Sequence, residues 1–171
     1  MRAQLFLSIQ DSLKEIKGND GLPVFKHFDL WNRQVAFIEK ETPFPFPAIF
    51  VEFLPIQWET HGQRVQRADM FVRLHIVTQW FSQTGSYSPD QENALTYLDL
   101  SGLVHKQLQG NPILLTNGWM RTQSIINHDH ETIVDSIEEY KCQVVDYGAQ
   151  PATVPASNIT PVLTFTNPQE E

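Results

Sequence analysis

Residues 3–17 repeat an apolar side chain at Leu5, Ile9, Leu13 and Ile16, spacings that place all four on one helical face. Gln10, Asp11, Lys14 and Lys17 fall elsewhere, and Gly18 stands as the expected stop. Between 22 and 40 the apolar residues lose this period. A short strand at 24–28 and a strand or irregular stretch through Val35-Ala36-Phe37-Ile38 are expected. Pro43, Pro45 and Pro47 then forbid a helix and remove backbone donors, so 42–47 reads as an extended lead into a strand over 48–59. Pro55 marks that strand as an edge or a bulge.

After a polar turn over 60–69 containing Gly62, a second strand is predicted over 69–80. Met70, Val72, Leu74, Ile76 and Thr78 share one face and belong to the core. Phe71, Arg73, His75, Val77 and Gln79 share the other, a mixed surface suited to solvent or to another subunit. The two strands read as a long antiparallel hairpin. A loop over 81–89 leads to a helix over 90–109, striped with Ala94, Leu95, Leu98, Leu103, Val104 and Leu108. Gly102 inside it costs about 1 kcal/mol relative to Ala, which points to close packing against a neighbouring backbone. Strands resume at 119–128, at 131–137 and at 138–147, where Tyr140, Cys142 and Val144 alternate with Lys141, Gln143 and Val145.

Prolines at 151, 155, 161 and 168, among Ala, Thr, Ser and Asn, change the texture beyond residue 147. The expected organisation is an α+β domain over 1–147 and an extended Pro-rich arm over 148–171. The domain is a mainly antiparallel sheet with a long hairpin and two helices packed on one face. Val162, Leu163 and Phe165 are the arm's sizeable apolar group.

Composition narrows the function classes. The 171 residues carry 12 basic and 20 acidic side chains, a formal net charge of -8, which disfavours a broad nucleic-acid footprint. No apolar run approaches the ~20 residues of a membrane-spanning helix, and the N-terminal run ends at Ser8 without a cleavage pattern. A cytosolic protein, or one assembled in a cytosol, is the expectation. Cys142 is the single cysteine, so no disulfide within the chain is possible; its place on the apolar parity of a strand reads as structural.

Few residues suggest chemistry. His128-x-His130-Glu131 offers imidazole and carboxylate ligands, yet no third partner at a recognisable spacing, and HExxH is absent. GxSxG, P-loop and GxGxxG patterns are also absent. Arg73 and His75 on one strand face make a weak anion-site candidate. Phe44, Phe46 and Trp58 lack basic neighbours and read better as core or subunit contacts than as stacking platforms. No catalytic residue, cofactor or metal is expected.

The order of elements carries a resemblance. A Pro-rich lead enters the long hairpin, Pro45-Phe46-Pro47-Ala48-Ile49-Phe50-Val51-Glu52-Phe53 followed by Phe71-Val72-Arg73-Leu74-His75-Ile76-Val77, with a helix before it, and a helix and two strands after it. Over residues 1–147 this resembles the tail terminator, or tail-completion, proteins of long-tailed bacteriophages and prophages. The resemblance implies a non-catalytic subunit of a homo-oligomeric ring, typically a hexamer, that caps the tail tube and meets the head connector. It places the protein in the host cytoplasm during assembly and then in the virion tail, without a membrane or nucleic-acid partner. Phe44, Phe46, Trp58, Arg73, His75 and Phe165 are the candidate interface residues. A metal-dependent enzyme using His128, His130 and Glu131, and a small-ligand-binding module around Arg73 and His75, stand as alternatives.

Overall fold

The computed structural model describes residues 1–37, 44–80, 84–113 and 117–150. Helix α1, Arg2–Lys14, buries Leu5, Ile9 and Leu13, the spacing read from the sequence. It ends three residues earlier than expected. Glu15 is the cap, and Gly18 instead takes part in the following turn, donating its N–H to the Leu22 carbonyl at 2.8 Å. Ile16 still reaches the core from beyond the helix end.

Strand β1 spans His27–Leu30, a few residues beyond the expected position, and a 3-10 turn over Gln34–Phe37 is the irregular one of the two alternatives read there, Ile38 lying outside the described residues. Strand β2 covers Ala48–Phe53 and ends before Pro55, whose missing N–H cannot continue a ladder. The rest of the expected 48–59 strand is irregular except for β3, Glu59–Thr60. Strand β4 runs over Gln66–Gln79, and β2 pairs with it antiparallel from Ala48↔Val77 to Phe53↔Val72. Helix α2, Gln91–Leu108, is followed by Gly110 at φ 72°, a left-handed position that suits glycine. Strand β5, Met120–Asn127, and strand β6, Ile133–Asp146, complete the domain. The two strand pieces expected at 131–137 and 138–147 are therefore one continuous strand.

The sheet has the order β1-β2-β4-β6-β5, with β3 pairing to β4 off this path. All neighbours are antiparallel except β1 and β2, which run parallel. The fold is α+β with a mostly antiparallel mixed sheet. Strands β4 and β6 form its centre, paired from Gln66↔Asp146 to Gln79↔Ile133.

One face of this sheet carries the main core. Leu5, Ile9 and Leu13 of α1 and Val104 and Leu108 of α2 meet Ile49, Val51, Met70, Val72, Leu74, Ile76, Tyr140, Cys142 and Val144. Both helices thus cover one face, because only this face offers a continuous apolar row on β2, β4 and β6. Gly102 departs from the expectation of close packing. A Cβ placed there meets nothing within 4 Å, and Leu95, Leu98 and Leu103 beside it on α2 are exposed.

The opposite face carries a smaller apolar group, Val35, Ala48, Phe50, Val77 and Ile133, against which Trp31, Phe44 and Phe46 pack. Among the described residues no helix is long and apolar enough to cross a membrane.

Candidate functional site

Strand pairing decides what the second sheet face presents. Glu52 on β2 stands opposite Arg73 on β4, and Arg73 stands opposite Glu139 on β6. The Arg73 guanidinium therefore lies between two carboxylates, donating from Nε to Glu139 at 3.0 Å and lying 3.7 Å from Glu52. One pair along the sheet, His75 sits between Glu52, 3.4 Å from Nε2, and Asp135, 3.2 Å from Nδ1. Asp135 is 1% exposed and His75 is 4% exposed.

The burial of His75 comes from Trp31, whose indole lies flat on the imidazole with ring centroids 3.6 Å apart and planes 3° apart. The chain reaches that position because β1 pairs with β2 and the Trp31 N–H then donates to the Val51 carbonyl at 2.9 Å. Trp31 also meets Phe50 edge-on, and Phe44 packs on His27, Phe46 and Phe50. Aromatic cover and carboxylate partners together satisfy a side chain that a bare sheet face would leave in water. This arrangement holds the second face of the sheet closed around His75 and leaves Arg73 half-buried at its rim.

The residues singled out from the sequence fall into separate regions. His75 and Arg73 belong to this charged row, and Phe44 and Phe46, half-buried, to the aromatic cover beside it. Trp58 lies against the main core from the loop after β2. Phe165 lies outside the described residues. His128, His130 and Glu131 occupy the loop between β5 and β6, so the two imidazoles do not share a strand face as a metal site on a strand would require. Among the described residues no three His, Cys, Asp or Glu side chains are grouped to hold a metal ion. The Cys142 thiol is buried, and burial, with a smaller contribution from Asp69, pushes its pKa up to about 12. Burial likewise raises the Tyr140 phenol, helped by Glu138 and opposed by Arg121. Neither group is poised to ionise near neutral pH.

Three features escaped the sequence reading. Asp135 and Glu52 partner His75, yet they lie far from it in the chain; only the β2/β4/β6 register brings them together. On the helix-covered face, Glu138 is buried at the β5 margin, where Ser124 Oγ donates to it at 2.6 Å and Arg121 lies at 3.3 Å. The third feature is β5 itself. Among the described residues it pairs with β6 alone, and it is exposed from Met120 through Ile126. Met120, Ile125 and Ile126 are exposed large apolar side chains on this strand. A signal for this was present: Met120-Arg121-Thr122-Gln123-Ser124-Ile125-Ile126 has no apolar parity, as suits a strand with neither face in a core.

The described chemistry is thus an ion-paired, aromatic-covered sheet face together with an uncovered sheet edge and an exposed leucine face on α2. No protein-family model matches the chain, and no curated protein matches it. Among solved structures, the chain is similar to a protein chain in the virion of a native gene transfer agent (GTA) particle. The identity is 12%, the TM-score is 0.56, and the match covers 85% of this chain and 97% of that one. The two share a fold.

Proposed function

We propose that the protein is a structural component of a phage or phage-like particle, built into the virion rather than acting on a substrate. The observation that carries this reading is the shared fold with a chain of a gene transfer agent virion, over nearly the whole of that chain. Within this class we assign it the role of tail terminator: an oligomeric ring, a hexamer as in the family it resembles, that caps the tail tube and meets the head connector. The protein assembles in the host cytoplasm and remains in the virion tail.

Surface chemistry supports the reading. A ring requires two different patches on each subunit that meet heterologously. The uncovered edge of β5 is one such patch. The α2 face bearing the exposed Leu95 and Leu98 is a second, and Gly102 on that same face leaves room for close approach of a neighbour. Among the described residues nothing lies close to Gly102; in a ring, a second copy supplies that neighbour. Phe44, Phe46 and Trp58, each half-buried, contribute the remainder of their surface at the flanks.

Light scattering on the purified chain, alone and mixed with a tail-tube protein of the same phage or prophage, tests the proposal. The expected result is a discrete multi-subunit mass and arrest of tube growth. A chain that stays monomeric at high concentration and leaves tube polymerisation unchanged would overturn it.

A further inference from the structure

An outer strand with unused N–H and C=O groups pairs with any strand that reaches it, so proteins protect such edges with charge, proline or a bulge. Strand β5 has little of this protection. It contains no proline, and its one charged residue, Arg121, is drawn back to Glu138 at 3.3 Å. The only irregularity is a register shift between Arg121 and Gln123. The Arg121 N–H is already held by Gln109 Oε1 at 3.1 Å. The stretch Gln123–Asn127 beyond the shift is regular, pairs with β6 on one side, and has no strand on its other side among the described residues. Ile125 and Ile126 flank this edge, 41% and 37% exposed, one on each face of the sheet.

The chain carries a segment suited to that edge. Val162-Leu163-Thr164-Phe165-Thr166 is rich in β-branched and aromatic residues, is bracketed by Pro161 and Pro168, and has the same length as Gln123–Asn127. Strand β6 ends at Asp146, and the chain from Gly148 to Pro161 spans up to roughly 45 Å when extended, enough to reach a neighbouring subunit.

We infer that the outer edge of β5 receives residues 162–166 of a second copy of this chain as an added strand, the main-chain ladder providing the attachment. A second copy is the donor because a ring joins each subunit to the next through two different patches, one offered and one received, and β5 is exposed from Met120 to Ile126. Leu163 and Phe165 share one parity of the added strand and lie over the Ile125 side; Val162, Thr164 and Thr166 lie on the Ile126 side. The inference rests on the ring reading and specifies what fastens one subunit to the next.

Two full-length variants, Ile125→Cys and Phe165→Cys, are mixed and oxidised, with Tyr87→Cys, fully exposed in a loop, replacing Phe165→Cys as the collision control. The native Cys142 is buried and does not compete. Melting curves matching the parent confirm that both exposed-site variants fold. The expected result is a mixed disulfide between the Ile125→Cys and Phe165→Cys chains, several-fold more abundant than with the control. Equal yields from the two mixtures, with oligomers still seen by light scattering, would overturn the arm–edge contact and leave the ring standing. A doubly substituted chain that closes a disulfide within itself in preference would overturn the exchange between copies. A chain that never associates, alone or with tube protein, would remove the ring reading and this inference with it.

Discussion

The two faces of the central sheet use the same backbone and opposite chemistry. On the helix-covered face, β4 contributes Met70, Val72, Leu74 and Ile76, all buried among apolar neighbours. On the other face the same strand contributes Arg73 and His75, held between carboxylates and partly roofed by Trp31. The first face gains from burial itself, which is non-directional and tolerates many arrangements. The second depends on direction: each polar group must find its partner, and losing one partner leaves the other buried without it. The contrast teaches that one strand can anchor a core and, one residue away, demand a specific register.

That contrast can be broken on the apolar side with the largest effect. Ile76→Ala, at a position 1% exposed, removes atoms from a closed core and should cost about 2–5 kcal/mol in a denaturant titration. A loss under 1 kcal/mol would show that the helices do not seal this face. On the polar side, Asp135→Ala leaves the His75 ring facing Glu52 alone and should cost about 1–3 kcal/mol. Trp31→Ala in the same background tests the roof: with the imidazole open to water, the penalty of the missing Asp135 partner should shrink, which a double-mutant cycle reads directly.

A smaller change of opposite sign is expected at Tyr140, whose hydroxyl is buried on the apolar face without a hydrogen-bond partner among the described residues. Tyr140→Phe should raise stability by about 1 kcal/mol, seen as a higher melting temperature. The last difference is silent at neutral pH. The Cys142 pKa is raised from 9.0 to about 12 in the folded chain, so above pH 9 the unfolded chain releases a proton that the folded chain retains. Stability therefore falls as pH rises from about 9 to 12. A Cys142→Ala variant should show a shallower fall over that window in melting experiments; an unchanged slope would mean that the thiol is not shielded.

Much of the architecture is legible because it follows from short-range pattern. The α1 spacing of Leu5, Ile9 and Leu13, and the alternation of Met70, Val72, Leu74 and Ile76, each name a buried face without knowing what covers it. Boundaries were harder. Pro55 suggests an edge or a bulge in a long strand, whereas β2 stops two residues before it and lies inside the sheet between β1 and β4. Gly102 suggests close packing, whereas no described residue comes within 4 Å of a Cβ placed there. His128 and His130 fall in the loop that lets β5 turn back into β6, as their run of polar residues between two strand patterns suggests.

The sequence by itself determined the helix faces, the central strand, the buried position of Cys142 and the α+β class, since each depends on periodicity and hydrophobicity along a few neighbouring residues. Tertiary structure alone decided that Glu52, Asp135 and Trp31 converge on His75, and that β1 and β5, not the strands of the long hairpin, end the sheet. Strand order and register join residues distant in the chain through backbone hydrogen bonds that every residue type can make, so local pattern carries little record of them.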